Sequence, residues 1–188
     1  MVICKLINLK ILKMKKLFLL IIAIVSFNGL LFSVETPKFD LTKDGVEPVV
    51  LNFDATFTAN MIYTKIKEWI ALNYKNPKTA TRIDNENSMI KIGGLKEKAW
   101  KIKDTNFGND YDNWYDLEYS LIIDIKDAKC RVTFATPEVR YKVWYNKDGS
   151  VIPKFKDSEA SFENSINEML TSLYTYIIEP PKVKKDDW

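Results

Sequence analysis

One stretch of alternating residues, 114–127, constrains the fold of this chain more than any other feature of its sequence. Every second residue of the stretch is apolar: Tyr115, Leu117, Tyr119, Leu121, Ile123 and Ile125. The residues between them are polar apart from Trp114 and Ile122. Alternation of this kind predicts a β-strand with one face on a core and the other toward water. It is the strongest strand signal in the chain.

Further strands are predicted on both sides of this stretch. The turn Lys126–Lys129 leads to a returning strand on which Cys130, Val132 and Phe134 point inward. Residues 139–145 alternate again and predict another strand, with Trp144 on its polar side. Earlier in the chain, 49–57 alternates and 79–103 contains two or three short apolar runs. A polar loop is predicted over 104–113.

Two segments have helical rather than alternating periodicity. The first follows Thr58, a suitable cap, and its apolar residues Ile62, Ile66, Trp69 and Ile70 recur at helical spacing before Asn76-Pro77 ends it. The second covers 158–178 and ends at Pro180-Pro181. Its apolar stripe comprises Phe162, Ile166, Met169, Leu170, Leu173 and Ile177.

These elements predict an α+β domain of two layers over residues 48–179. A curved antiparallel sheet of about five to six strands forms one layer, and two helices cover one of its faces, in the order β-α-β-β-β-β-α. The polar segment 34–47 is interpreted as a linker. The charged residues 180–188 are interpreted as a tail.

The first 33 residues have the organisation of a secretory signal peptide. Lys15 and Lys16 precede the apolar run 17–25, and Ser33 is suitable for the position before a cleavage site. Met14 is an alternative start. We therefore expect an exported protein, periplasmic, envelope-associated or secreted. An uncleaved membrane anchor is the alternative, although the run is short for a spanning helix.

Composition excludes several classes of function. Residues 1–33 contain five lysines and no acid, so residues 34–188 have 23 basic and 25 acidic side chains and a net charge of −2. This balance gives no electrostatic basis for nucleic-acid binding. The chain has no histidine, which excludes histidine-dependent catalysis and histidine-ligated metals. Cys130 is expected to be a small buried apolar residue.

The stretch 55–145 resembles a known family, a domain of unknown function with a TBP-like (TATA-binding-protein-like) fold that is frequent in exported proteins of Bacteroidota. The resemblance lies in Ile62-Tyr63 and Trp69-Ile70, in the run 90–94, and in the hairpin 121–131. Ala128 stands where the family usually has glycine, and Cys130 where it has an aromatic residue. The resemblance implies a fold and an exported location, and no catalytic residue.

The carboxylates offer weak candidates for chemistry. Asp110, Asp112 and Asp116 cluster, but their spacing differs from that of a calcium-binding loop, so a solvated loop is the preferred interpretation. Asp116 and Glu118 share a strand face, as a glycosidase pair could, but so do other charges. We expect no catalytic residue, no metal and no cofactor.

Aromatic residues on the polar side of the sheet are the better candidates for function. Trp114, Trp144 and Trp100 fall on strand positions assigned to that side. An interaction surface is therefore predicted, and its residues are Trp114, Asp116, Glu118, Arg140 and Trp144. The main hypothesis is a non-catalytic domain that binds an unknown envelope protein through this open face. The alternative is a carrier that holds a small apolar ligand between sheet and helix.

Overall fold

A five-stranded antiparallel sheet with helices on one face forms the centre of the molecule in the computed structural model, which describes residues 36–106, 109–137, 139 and 141–179. A two-stranded sheet, β1 (Leu41–Thr42) and β2 (Gly45–Val46), precedes it. The predicted α+β fold class is confirmed. The signal segment 1–33 and the tail 180–188 lie outside the described residues.

The main sheet has the spatial order β3-β7-β6-β5-β4. Its strands are β3 (Val49–Asn52), β4 (Thr81–Asn85), β5 (Met89–Asn106), β6 (Asn109–Lys126) and β7 (Lys129–Ala135). The helices are α1 (Ala59–Asn73), the short α2 (Pro77–Ala80) and α3 (Lys156–Ile178). Two 3-10 turns, Tyr141–Trp144 and Pro153–Phe155, lie between β7 and α3.

The core lies between the helices and the inward face of the sheet. From α1, Ile62 and Ile66 are fully buried, as predicted from their spacing. The stripe of α3 is buried as well, and its members with at most 1% exposure are Phe162, Ile166, Leu170, Leu173 and Ile177. Burying a side chain of this size contributes about 1.5–3 kcal/mol. Among the described helices, none combines the length and apolar character needed to cross a membrane.

Strands β5 and β6 are longer than the sequence suggests. The predicted loop 104–113 is instead the far part of a hairpin, in which Lys103 pairs with Asp112 and Asp104 with Tyr111. Its polar residues are stabilised across the two strands rather than by a core, which is why their composition resembled a loop. The strand predicted over 139–145 is also absent from the described part of that segment, where Tyr141–Trp144 form a 3-10 turn.

The segment 34–47, interpreted above as a linker, packs against the domain in its described part, 36–47. Phe39 is only 1% exposed, and its ring lies 6.0 Å from that of Phe134. The side-chain oxygen of Asn167 accepts the backbone N–H of Phe39 at 2.7 Å. Phe39 anchors this mostly polar stretch to β7 and α3, and Leu41 and Val46 pack against the same core.

Candidate functional site

The centre of the outward side of the five-stranded sheet is not lined by a helix in the described part of the chain, whereas at its far end Trp114 shares a cleft with α3. The pairing places Ile83, Lys91, Ile122 and Thr133 in one row across four strands, and places Val50, Arg131 and Asp124 in the adjacent row. We call this side the open face and define it by Val50, Ile83, Lys91, Trp114, Asp116, Glu118, Ile122, Asp124 and Arg131.

Three apolar residues, separated by Lys91 on β5 and by Thr133 and Arg131 on β7, form an interrupted band across the middle of the open face. Val50 is 50% exposed and Ile83 is 42% exposed, and Ile122 between them is half-buried. The Arg131 guanidinium lies beside Val50 and forms an ion pair with Asp124 at 2.8 Å. The sequence contains a signal for this band. Val50 and Ile122 are apolar, although the alternating pattern of their strands predicts polar residues at both positions.

Three of the five predicted surface residues lie together on the open face of β6. Trp114 is 49% exposed, and the ammonium of Lys101 lies 5.7 Å from the centre of its ring. Asp116 accepts the backbone N–H of Lys98 at 2.8 Å, and Glu118 is exposed. Trp114 is eight residues from Ile122, or about 26 Å along the strand. The face therefore has a central band and a separate tryptophan end.

Trp144 does not belong to this surface, which corrects the sequence-based assignment. It is 2% exposed, and its ring lies 5.7 Å from that of Phe162 on α3 and 5.5 Å from that of Trp100. The assignment failed because it assumed a strand, whereas the 3-10 turn directs the ring into the core. Trp100 is also on the inward side, stacked on Tyr115 at 4.8 Å. Arg140 lies outside the described residues.

The acidic cluster has partners of its own. Asp112 pairs with Lys101 at 2.8 Å and Asp110 with Lys103 at 3.2 Å, across the β5–β6 hairpin. Within the described residues, no group of three acidic or thiol side chains is arranged to hold a metal ion. The side chain of Asp116 accepts the backbone N–H of Lys98. This hydrogen bond stabilises the irregular part of β5, in which Lys98 has a φ of +50°.

Cys130 is buried on the inward face of β7, as predicted, with 1% exposure. Burial raises the pKa of its thiol to about 12. The neutral thiol is therefore the form present at neutral pH, and this residue packs as a small apolar side chain rather than acting as a nucleophile.

Comparison with known proteins matches one stretch of the chain to a family model. Residues 54–140 match the family model described as a domain of unknown function (DUF4468) with TBP-like fold. No curated protein matches the chain.

Two solved structures are similar to this chain. One is a DUF4468 family protein from Bacteroides ovatus, with 13% identity and a TM-score of 0.48 over 81% of this chain and 95% of that one. The other is a TBP-like protein from Parabacteroides distasonis, with 14% identity and a TM-score of 0.41 over 71% of this chain and 90% of that one.

Proposed function

We propose that this chain, which carries the DUF4468 domain of unknown function with a TBP-like fold in residues 54–140, is an exported, non-catalytic interaction protein. Its open face would bind a protein of the cell envelope. Export rests on the signal-like sequence of residues 1–33.

The observation that carries the proposal is the apolar band on the open face. A sheet face left to water is normally polar. Here Val50 and Ile83 expose half or nearly half of their surface on such a face, and Trp114 does so at its far end. Single exposed apolar residues need no explanation; we interpret those on this face as parts of one surface that a partner covers.

The charges on this face favour a protein partner. Arg131 is paired with Asp124, and the acidic residues Asp116 and Glu118 lie toward the tryptophan end. Both signs are therefore present, as at the polar rim of a protein interface, with no excess of positive charge for a polyanion. Arginine and tryptophan are also the residues that most often dominate binding energy at such interfaces.

The polar groups of the face support binding rather than catalysis. Asp124 is ion-paired with Arg131, and Asp116 holds the backbone of Lys98. A catalytic acid or base needs to be free to exchange a proton with a substrate. These two carboxylates instead stabilise the sheet, one through an ion pair and the other through a hydrogen bond to the backbone.

The alternative function, a carrier of a small apolar ligand, is less well supported. A ligand buried beneath α3 would need the space that its stripe fills, and the clefts between β5 and α3 are lined mainly by residues outside that stripe. Phe162, Ile166 and Leu173 are 0% exposed and pack into the core with the sheet. Native cores are packed to crystal-like density, so a ligand there would have to displace these side chains.

Affinity capture from a native envelope extract tests the proposal. The wild-type chain and the Val50→Ser/Ile83→Ser variant are immobilised, and the captured proteins are identified by mass spectrometry and then bound in purified form. We expect the variant to weaken binding at least fivefold. Leu72→Ser is the matched control, because Leu72 is 65% exposed on α1 rather than on the open face. Equal binding by all three chains would contradict the proposal.

A further inference from the structure

An irregularity in β4 changes the direction of one side chain. Thr81 pairs with Ile92 of β5, and Ile83 pairs with Lys91. Arg82 is the extra residue between them. Strict alternation from Ile83 would direct Arg82 to the opposite face, where the core lies. A bulge with one extra residue re-aims a side chain, and bulges are frequent next to functional sites. The bulge therefore allows Arg82 to turn toward the open face, beside Ile83.

The position of Gly93 shows where the guanidinium of Arg82 lies. Gly93 is on the outward side of β5, two residues after Lys91. A β-carbon at Gly93 would lie 2.8 Å from Nε of Arg82 and 3.3 Å from its Nη2. The guanidinium therefore rests on the backbone of Gly93. Gly93 is buried, while Arg82 is exposed. The planar charged group is thus held against the open face and remains accessible.

Arg82 has no carboxylate partner in the part of the chain that the structure describes. The acidic residue nearest to it along the chain is Asp84, which lies on the helix side of the sheet. Asp84 pairs with Lys67 of α1 and accepts the hydroxyl of Tyr63 at 2.9 Å. By contrast, the other arginine of the open face, Arg131, is paired with Asp124 at 2.8 Å. The charge of Arg82 is therefore left for a group outside the molecule.

The surface beside the guanidinium is low. Gly93 pairs with Ser120, and Ser120 pairs with Ala135, so that three small residues follow one another across β5, β6 and β7. The interrupted band lies on one side of this row. Leu95, which is 63% exposed, lies on the other side. A partner side chain that reaches Arg82 along this row is therefore flanked by apolar groups.

We propose that Arg82 determines the specificity of the open face by binding the carboxylate of an aspartate or glutamate of the partner protein. This inference rests on the proposed function, because it gives the chemistry of the partner at the same surface. A guanidinium presents parallel N–H donors that match the two oxygens of a carboxylate. A side chain that is already held in place loses less conformational freedom on binding. One unpaired guanidinium suits a single carboxylate rather than a polyanion.

Two displayed libraries of random heptapeptides, one with a fixed central aspartate and one with a fixed central asparagine, test the inference when panned against the full chain. Asparagine is the matched control because it has the shape of aspartate without the charge. We expect at least tenfold greater enrichment from the aspartate library. In NMR, an enriched peptide should shift the Nε–H resonance of Arg82 and leave that of Arg131 in place.

Variants of the chain then separate charge from geometry. We expect Arg82→Gln to weaken the affinity for an enriched peptide at least tenfold. Arg82→Lys keeps the charge without the planar group and should weaken it at least threefold. Gly93→Ala should do the same, because its β-carbon displaces the guanidinium. Lys126→Gln removes a charge from the same side of β6, about 20 Å from Ser120, and should leave the affinity within twofold.

Equal enrichment of the two libraries, a shift at Arg131 instead of Arg82, or equal affinity of Arg82→Gln and the wild type would each overturn the inference. The NMR measurement needs no variant, so the test stands even if a variant folds poorly. Envelope capture distinguishes this failure from that of the proposed function. If Val50→Ser/Ile83→Ser weakens capture and Arg82→Gln does not, the open face is the interface and Arg82 is not its determinant.

Discussion

At Ala128 the backbone adopts a φ of +59° in the two-residue turn between β6 and β7. The left-handed region costs an L-residue about 1–2 kcal/mol, and glycine avoids most of this cost. The turn is retained because its backbone is held from the loop before α1: the N–H of Ala128 donates to Phe57 and its carbonyl accepts from Phe53, both at 2.8 Å.

Ala128→Gly is therefore expected to stabilise the protein, by about 0.5–1 kcal/mol in urea unfolding. Ala135→Gly is the matched control, since Ala135 lies within β7, where glycine should destabilise by a similar amount. If Ala128→Gly lost stability as Ala135→Gly does, the positive φ at this turn would be refuted.

Because of the buried thiol of Cys130, the free energy of unfolding of the protein is expected to decrease as the pH rises in the alkaline range. In the unfolded chain a cysteine loses its proton near pH ~8.5, whereas in the folded protein burial raises the pKa of Cys130 to about 12. The stabilising contribution is present below pH ~8.5 and is lost as the pH rises toward the folded value.

We expect the free energy of unfolding of the wild type, relative to Cys130→Ala, to fall by up to about 1.4 kcal/mol per pH unit above pH ~9. Both chains should carry Cys4→Ser so that one thiol titrates. Urea unfolding at pH 7, 9 and 10 measures the difference between them. A difference that stays constant over this range would show that Cys130 is accessible to water in the native state.

At the scale of the elements, α3 supplies most of the side chains that join the two layers. Leu170 is 1% exposed and packs into the core with the sheet. Leu170→Ala should therefore destabilise the protein by about 2–5 kcal/mol in denaturant unfolding. Leu72→Ala, at a 65% exposed position of α1, should change stability by no more than about 0.5 kcal/mol. Similar losses from both substitutions would mean that the buried face of α3 is wrongly assigned.

Helix α1 begins at a point fixed by the β6–β7 turn. Asp127 accepts the N–H of Ala59 at 2.7 Å, and Thr58 accepts that of Met61 at 3.3 Å. We expect Asp127→Ala to destabilise the protein by about 0.5–2 kcal/mol, because a free N–H is then left at the start of the helix. Asp127→Asn keeps an acceptor and should retain most of the stability in the same thermal and urea unfolding measurements. If both substitutions had the same effect, the cap would not be the cause.

At the scale of the molecule, strong periodicity predicted the fold well. The apolar stripes of α1 and α3 and the inward residues of β6 and β7 could be predicted from the sequence, because each of these elements buries one face over many residues. The far part of the β5–β6 hairpin could not be predicted from the sequence. Ion pairs such as Lys103–Asp110, rather than buried apolar side chains, join the two strands there. Phe39, Leu41 and Val46 pack a mostly polar segment against the core, and the polar composition of that segment suggested a linker.

The candidate surface was predictable only in part. Trp114, Asp116 and Glu118 were placed correctly because they share a long strand with a clear phase. Trp144 was placed on the wrong side because a short alternating run does not distinguish a strand from a 3-10 turn that packs against a helix. The central band lies on β3, β4 and β6, and only the pairing of those strands brings Val50, Ile83 and Ile122 together.

The central claim, that the open face contacts a partner, is tested most directly by photo-crosslinking in the native envelope. Benzoylphenylalanine is introduced at Ile83 on the open face or at Leu72 on α1, both of which are exposed. The account predicts a discrete adduct, of a mass that identifies one partner, from position 83 and not from position 72. The absence of any adduct from position 83, or the same adducts from both positions, would contradict it.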